Sequence, residues 1–219
     1  MKKLACIYTA AGSMPQMLER VFSERAQQEL TYNHIIDSGL IRDVIANGIT
    51  PDMEERLHGL FTAARYCRPD LVVCTCSSIG EVAEKHAAMH PETRLMRIDE
   101  PMCRCAAENY SRIAVMATLE STVLPSCDLI ARLAKQSGRE VTVMNYTAAE
   151  AFAPMIHGDM ETATKIVVEK AEELRGKADV LVLAQASMGA FAAQLKQTLG
   201  DMPILNSIDC FADYLRDNL

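Results

Sequence analysis

The sequence contains no tryptophan, and only 5% of its residues are aromatic. A surface that stacks nucleic-acid bases or sugar rings needs such side chains, so those functions are disfavoured. The chain carries 29 acidic against 22 basic residues, for a net charge of −7. That excess argues against a nucleic-acid groove and against docking on an anionic membrane. No apolar run reaches the length of about 18 residues that a membrane-spanning helix needs.

Cysteine is also too sparse for a disulfide scaffold, with eight in 219 residues. The apolar run that follows Lys2 and Lys3 is short, which is typical of a first strand rather than of a signal peptide. We therefore expect reduced thiols in a cytoplasmic protein. Residues 10–13 hold a single glycine, too few for a dinucleotide or phosphate loop. The hydrophobic content of 49% is sufficient for a full core, in one domain or in two.

Strand-like segments alternate with helical patterns along the whole chain, which predicts βαβ units and parallel sheets. The predicted strands are 3–9, 30–36, 70–75, 94–98, 112–117, 140–145, 180–184 and 203–205. The predicted helices are 13–27, 51–68, 80–90, 100–110, 120–137, 147–155, 160–175, 188–199 and 209–219. Ser13 with Gln16 predicts a capping box at the first helix. Residues 37–50, with Gly39 and Gly48, are predicted to be a long connection.

The two halves of the chain repeat one pattern at an offset of 109 residues. At that offset four strands align without a gap, and Ser78-Ile79-Gly80 falls on Ser187-Met188-Gly189. The repeat predicts an internal, pseudo-twofold duplication: two similar flavodoxin-like α/β lobes, each with a parallel four-stranded sheet. The first lobe is expected to hold residues 1–98 plus about 206–219, and the second 99–205. An active-site cleft is expected between the lobes.

The most informative stretch is the strand at 70–75 and the residues that follow it. Cys76, Ser77 and Ser78 are expected at the carboxyl end of a parallel strand, where open α/β sheets bind ligands. Ser78 and Glu81 predict a capping box that starts the next helix. A thiol beside a helix amino terminus has its thiolate stabilised, so Cys76 is a candidate reactive cysteine. At the 109-residue offset its counterpart is Gln185.

These features resemble the aspartate/glutamate racemase superfamily over nearly the full chain. The family's first signature, a strand followed by a cysteine and small polar residues, is similar to 70–78, with Cys76 as the cysteine. Its second, a strand followed by Gly-Cys-Thr-His or Gly-Cys-Ala-Gly-Met, is similar to 183–188, where Gln185 replaces the second cysteine. Thr118, after its strand, resembles the family's carboxylate-binding turn.

The resemblance implies an isomerase of the racemase or epimerase type, acting without a cofactor or metal at the carbon next to a carboxylate. In such enzymes one cysteine removes the α-proton and the other returns a proton from the opposite face. The implied partner is a small carboxylic or amino acid, and a homodimer is possible. The catalytic positions are Cys76 and Gln185. The expected substrate-binding donors are Thr9, Ser13, Ser77, Ser78, Thr118 and Ser187.

Gln185 leaves several mechanisms open, because an amide cannot accept and return a proton at neutral pH. Another acid on the second lobe could serve as the opposite base: Asp209, His157 or Tyr146. Cys76 could instead act alone, protonating an enolate after decarboxylation as in single-cysteine lyases of the superfamily. It could also add to a double bond during cis–trans isomerization. A binding protein for small carboxylates that has lost catalysis is a further alternative.

Overall fold

A computed structural model describes all 219 residues, which fold into two compact α/β units. Unit 1 contains Met1–Ile98 and Ile208–Leu219, and unit 2 contains Asp99–Ser207. Each unit holds one four-stranded sheet in which every strand pair is parallel. The predicted fold class, with two flavodoxin-like parallel sheets, is confirmed. No helix is both long enough and apolar enough to cross a membrane.

The first ninety-eight residues form four strands and four helices. These are β1 Lys2–Tyr8, α1 Met14–Arg25, β2 Leu30–Ile36, α2 Leu40–Asn47, α3 Pro51–Tyr66, β3 Leu71–Cys74, α4 Gly80–Met89 and β4 Leu95–Arg97. A short 3₁₀ helix, Ser77–Ile79, joins β3 to α4. The strand order is β2-β1-β3-β4, which leaves β1 and β3 in the centre of the sheet.

Unit 2 repeats this arrangement. Its elements are α5 Glu100–Asn109, β5 Arg112–Ala117, α6 Glu120–Gln136, β6 Thr142–Thr147, α7 Phe152–Ile156, α8 Met160–Glu172, β7 Val180–Leu183, α9 Ala192–Leu199 and β8 Ile204–Asn206. Two 3₁₀ helices, Ala149–Ala151 and Ala186–Phe191, precede α7 and α9. The strand order is β6-β5-β7-β8. The closing helix α10, Ser207–Asn218, contributes all but its first residue to unit 1.

Helices cover the central strands of unit 1, so β1 from Leu4 onward and all of β3 are buried rather than alternating. Every residue of β3 is at most 1% exposed. On one face of the sheet, Ala5 and Ile7 of β1 share a core cluster with Leu57 and Phe61 of α3. This burial is the main reason the carboxyl edge of the sheet is held rigidly, because close-packed apolar groups resist displacement.

Helix α2 corrects the prediction that residues 37–50 are a connection. Leu40 and Val44 lie one turn apart, and both are buried, so the segment has an apolar face that a helix uses. The two glycines that suggested a loop instead flank the helix. Gly48, with a φ of +69°, ends it in the left-handed region that favours glycine.

Both predicted capping boxes are wrong, for different reasons. Ser13 precedes α1 but has φ −84° and ψ 2°, outside the extended region that turns a capping hydroxyl toward the helix amides. Ser78 lies inside the 3₁₀ helix, so that Ile79, not Ser78, occupies the cap position of α4.

The duplication is visible in the strand register. The partner pairs Leu4 with Leu71 and Ile113 with Val180 differ by 109 residues at both positions. The pairing of β3 with β4 and of β7 with β8 repeats at the same offset. Identical register in three strands gives the two sheets equivalent carboxyl edges.

The second strand of each unit departs from that offset. Lys3 pairs with Thr31 in unit 1, whereas Arg112 pairs with Thr142 in unit 2, an offset of 111 for the partner strand. Accordingly, β6 begins at Thr142 rather than at the predicted residue 140. Unit 2 therefore has two more residues between its first and second strands, which a gapless comparison of the halves does not detect.

Candidate active site

Cys76 lies at the carboxyl edge of the sheet in unit 1, two residues beyond the end of β3. Its backbone is still extended, with φ −125° and ψ 117°, and the 3₁₀ helix starts at the next residue. The side chain is partly exposed and packs against the core cluster of this unit. A thiol that is neither sealed nor fully solvated, placed just before a helix amino terminus, is in a position suited to acid–base chemistry.

The residues around Cys76 fix its backbone. The Cys76 carbonyl accepts hydrogen bonds from the Ile79 amide at 3.3 Å and from the Cys74 thiol at 3.5 Å. Cys74 itself is 1% exposed, so it acts as a packing residue. Ser77 is 7% exposed and Ser78 is half-buried; both belong to the turn that leads into α4.

Thr9 brings the neighbouring strand to the same edge. It follows β1, is 6% exposed, and its carbonyl accepts the Ile41 amide of α2 at 3.0 Å. Ser13, four residues further, is exposed at the start of α1. The structure thus places Thr9 and Cys76 at the ends of two paired strands, and Ser13 in the loop that leaves this edge.

Gln185 occupies the position in unit 2 that Cys76 occupies in unit 1. Its backbone is extended, with φ −106° and ψ 133°, and a 3₁₀ helix follows it. The Gln185 Oε1 atom accepts hydrogen bonds from both the amide and the hydroxyl of Thr118, the latter at 2.8 Å. Thr118 is 1% exposed, and Ser187 is half-buried in the 3₁₀ helix. The amide oxygen therefore engages the same donors that were predicted for a substrate carboxylate.

The three residues that the sequence suggested as the opposite base lie on different elements and make different contacts. Asp209 lies on α10 in unit 1, not in the second lobe, and forms an ion pair with Arg25 at 3.0 Å. Tyr146 lies on β6, and the Lys170 ammonium sits 5.7 Å from its ring centre. His157 is exposed at the end of α7.

Other cysteines are poor candidates for the reactive thiol. Burial raises the pKa of the Cys6 thiol to about 12 and that of the Cys127 thiol to about 11, so both stay protonated near neutral pH. Burial also raises the pKa of Cys105. No group of three or more His, Cys, Asp or Glu side chains in the structure is arranged to hold a metal ion.

Sequence reasoning missed a buried arginine close to this edge. Arg97 is the last residue of β4 and is 2% exposed, with its Nη1 atom 3.3 Å from Glu84 Oε1. Arginine is almost never fully buried without a partner or a function. The only sequence signal for it is a charged residue at the end of a predicted strand.

The comparisons with known proteins agree with this geometry. A family model described as Asp/Glu/Hydantoin racemase matches residues 8–215. Glutamate racemase from Aquifex pyrophilus aligns with a TM-score of 0.69 at 17% identity, covering 99% of this chain and 84% of that one. Aspartate racemase from Picrophilus torridus aligns with a TM-score of 0.72 at 10% identity, covering 99% of this chain and 94% of that one. Allantoin racemase from Klebsiella pneumoniae aligns with a TM-score of 0.64 at 14% identity, covering 99% of this chain and 87% of that one. A search of curated proteins found no match.

These structural likenesses, at such low identity, establish the fold. The family match spans nearly the whole chain and confirms the resemblance to this family. Racemases are isomerases, so this match also places the protein in that class of enzyme. The chain belongs to the Asp/Glu/hydantoin racemase family.

Proposed function

We propose that this protein is a cofactor-independent racemase or epimerase that acts at the carbon next to the carboxylate of a small acid, with Cys76 as its acid–base group. The observation that carries the proposal is the position of the partly exposed Cys76 thiol, at the carboxyl edge of the sheet and just before α4. The excess of acidic residues supports a small-molecule substrate rather than a nucleic acid or a membrane. A homodimer and a cytoplasmic location stay predictions.

In the proposed reaction the Cys76 thiolate takes the α-proton, and the C–H electron pair moves into the carboxylate to form an enediolate. The developing negative charge needs preorganised donors, since such groups stabilise it without reorganising. The hydroxyls of Ser77 and Ser78 and the amides at the start of α4 are suited to this, because helix amino termini favour anions. Return of a proton to the opposite face of the same carbon completes the inversion.

Gln185 is proposed to be a binding residue rather than a base. Its amide cannot carry a proton at neutral pH, and its oxygen is engaged by Thr118. Thr118, Ser187 and Thr9 stay predicted donors to the substrate carboxylate. In this proposal Gln185 is therefore not the residue that returns the second proton.

The same observation on Gln185 favours a second candidate, a lyase that uses a single thiol. In that reaction a substrate with two carboxylates on one carbon loses one of them as carbon dioxide. The electron pair of the broken C–C bond is delocalised into the remaining carboxylate as an enolate, and Cys76 donates a proton to the carbon. No second base is needed, which agrees with an amide at position 185. The two candidates share Cys76 and are distinguished by whether a carboxylate is lost.

Proton NMR in deuterium oxide separates them. The protein is incubated with a panel of single enantiomers of small carboxylic and amino acids, and the α-proton signals are followed. Loss of the α-proton signal, together with appearance of the other enantiomer on a chiral column, supports the isomerase. A deuterated product that lacks one carboxylate supports the lyase. We expect Cys76→Ala to abolish either reaction.

Cys67→Ala is the matched control. Cys67 follows α3, and its carbonyl accepts a bond from the Lys3 side chain at the opposite, amino-terminal edge of the sheet. This variant should keep full activity. Turnover that survives in Cys76→Ala would exclude Cys76 as the acid–base group.

A further inference from the structure

Arg97 is among the largest fully buried side chains of the protein. It ends β4, and its Cα pairs in the sheet register with Cys74, two residues before Cys76. Removing a guanidinium from water is unfavourable, so a buried arginine is retained only where other groups compensate the lost hydration. Its location in the fold therefore needs a specific explanation.

The guanidinium of Arg97 packs against the first turn of α4. A Cβ atom at Gly80 would overlap the Cζ and Nε atoms of Arg97 and lie 2.7 Å from Nη1. Gly80 has ordinary helical angles, φ −59° and ψ −38°, so a larger residue here is opposed by the close approach of the guanidinium and not by the backbone. Glu84, one turn further along α4, holds the Nη1 atom at 3.3 Å.

This first turn is coupled directly to the reactive thiol. Only the three residues of the 3₁₀ helix, Ser77–Ile79, separate Cys76 from Gly80, and the Ile79 amide donates to the Cys76 carbonyl. A shift of the α4 start would therefore move the Cys76 backbone and the amides beside it. Such small displacements are costly, because a misplacement of about 1 Å can reduce a rate about 100-fold.

Unit 2 keeps the glycine of this arrangement but lacks its thiol, its acid and its arginine. At the 109-residue offset Cys76, Gly80, Glu84 and Arg97 correspond to Gln185, Gly189, Ala193 and Asn206. A Cβ at Gly189 would meet no atom within 4 Å. The helix after Gln185 begins at Ala192, three residues later than α4 when the offset is applied. The fold is thus built without the arginine in one unit, and the arginine with its acid occurs in the unit that has the thiol.

We propose that Arg97 is a positioning residue for Cys76: its guanidinium, held by Glu84 and seated against Gly80, sets the first turn of α4 and with it the placement of the thiol. Its positive charge also adds to the partial charge of the helix amino terminus that favours the thiolate. The inference rests on the proposed function, because it gives Arg97 a role through Cys76.

Four single variants test it: Gly80→Ala, Arg97→Met, Arg97→Lys and Gly189→Ala. The first displaces the guanidinium, the second removes it, and the third keeps the charge without the planar fork. Gly189→Ala is the matched control, adding the same methyl group at the equivalent position of unit 2. Each variant is examined by thermal unfolding, by kcat and KM, and by the pH dependence of Cys76 alkylation with iodoacetamide, located by peptide mass spectrometry.

We expect Gly80→Ala and Arg97→Met to move Cys76 alkylation to higher pH and to lower kcat by about 100-fold, with KM changed little. Arg97→Lys should restore part of both, and Gly189→Ala should match the wild type. If Arg97→Met does not fold, Gly80→Ala and Arg97→Lys decide the question.

Two results would overturn the inference. One is a folded Gly80→Ala or Arg97→Met protein with the wild-type alkylation profile. The other is an equal effect of Gly189→Ala. The alkylation profile needs no turnover, so the proposed function fails separately: a shifted profile together with full activity in Cys76→Ala would keep the role of Arg97 in placing the thiol and remove the proposed catalysis.

Discussion

Unit 1 and unit 2 carry different side chains at equivalent positions, each at the carboxyl edge of its own sheet. Cys76 and Gln185 both have extended backbones and both precede a 3₁₀ helix. The equivalence arises from the strands beneath them, since β3 and β7 are each four residues long and fully buried. Apolar burial thus reproduces the backbone in both halves, while the chemistry at the edge depends on one side chain in each.

The surroundings of the two positions differ in a related way. In unit 2 the Gln185 oxygen is bonded to Thr118, so the edge is stabilised by an internal pair of neutral groups. In unit 1 the corresponding residue of β1, Thr9, instead anchors α2 through its carbonyl. Unit 1 also has an ion pair, Arg97 with Glu84, where unit 2 has Asn206 and Ala193. A duplicated fold can therefore specialise one edge while the other keeps a purely hydrogen-bonded arrangement.

The largest effect is expected from making the two edges alike. Cys76→Gln places in unit 1 the residue that the same backbone already accommodates in unit 2, so the fold should be retained. Loss of the acid–base group should lower the rate of deuterium exchange at the substrate α-carbon by about 10³-fold. The rate is measured by proton NMR, and circular dichroism checks the fold. An unchanged exchange rate in a folded variant would contradict the role of the thiol.

A second difference between the units concerns acid stability. His86 of α4 is 1% exposed, and its Nε2 atom has no hydrogen-bond partner, whereas the equivalent residue of unit 2 is the buried Leu195. Burial, together with His90, His58 and Arg65, lowers the pKa of His86 from 6.5 to about 4, with Glu92 acting in the opposite direction. The folded state therefore resists protonation that the unfolded chain accepts.

The sign of the pH effect follows from this difference in proton binding. Between pH 6.5 and about 4 the unfolded state binds more protons, so stability is fully present above pH 6.5 and falls as the pH is lowered. We expect a loss of about 2 kcal/mol between pH 7 and pH 4.5, less than the full linkage value because the folded pKa of about 4 is not reached at the lower pH. His86→Leu should remove this slope in urea titrations at pH 7 and pH 4.5.

His157→Gln serves as the control for this experiment, since His157 is exposed and lies in unit 2. Its pH dependence should equal that of the wild type. Hydrogen exchange with mass spectrometry should show the acid-induced opening in unit 1 peptides before unit 2 peptides. Equal slopes in wild type and His86→Leu would show that another group governs the acid response.

A smaller effect is expected at the edge of unit 2. Gln185→Ala removes the acceptor of the Thr118 amide and hydroxyl, and Thr118 is 1% exposed. Leaving buried donors without this acceptor should lower the free energy of unfolding by about 1 kcal/mol. Gln185→Glu keeps an oxygen at the same place and should be closer to the wild type. Urea denaturation measures both, and equal losses in the two variants would argue against a hydrogen-bonding role.

The sequence predicts the sheets well because burial leaves a strong local signal. Strand β2 is found at the predicted residues, and β1 and β5 begin within one residue of prediction. Helix α2 was missed because Gly39 and Gly48, which flank it, are also typical of loops. The shift of β6 was missed because two extra residues are invisible to a gapless repeat.

In the candidate site, too, some features could be predicted from the sequence and others could not. Strand polarity alone predicts that Cys76 and Gln185 lie at sheet edges, and the structure places them there. The bond from Thr118 to Gln185 joins residues 67 positions apart and depends on a side-chain rotamer, which no local pattern encodes. Arg97 was missed because a charged residue is expected to be exposed, and its burial depends on the absence of a Cβ at Gly80.

The smallest expected effect is at the opposite edges, where the two units are most alike. Asp70 accepts the Lys3 amide and Asp179 accepts the Arg112 amide, each at 2.8 Å, so both carboxylates anchor the start of a first strand. The Lys3 amide lowers the pKa of Asp70, and the Arg112 guanidinium, followed by its amide, lowers the pKa of Asp179. The stabilisation is lost only as the pH falls below their ordinary value near 3.8.

The basic side chains that contact Asp70 and Asp179 differ between the two units. The Arg112 guanidinium contacts Asp179 through two nitrogens at 3.0 and 2.6 Å, whereas the Lys2 ammonium lies 3.7 Å from Asp70. Asparagine at either position keeps one oxygen for the backbone amide but replaces the other with an NH2 group, which at position 179 cannot accept from the guanidinium. Because exposed ion pairs contribute little, Asp70→Asn should leave Tm nearly unchanged. Asp179→Asn should lower it by about 1–2 °C, since two guanidinium nitrogens donate to Asp179 Oδ1. Calorimetry at low and high salt measures both, and a larger loss in Asp70→Asn would mean that the lysine, not the guanidinium fork, makes the stronger anchor.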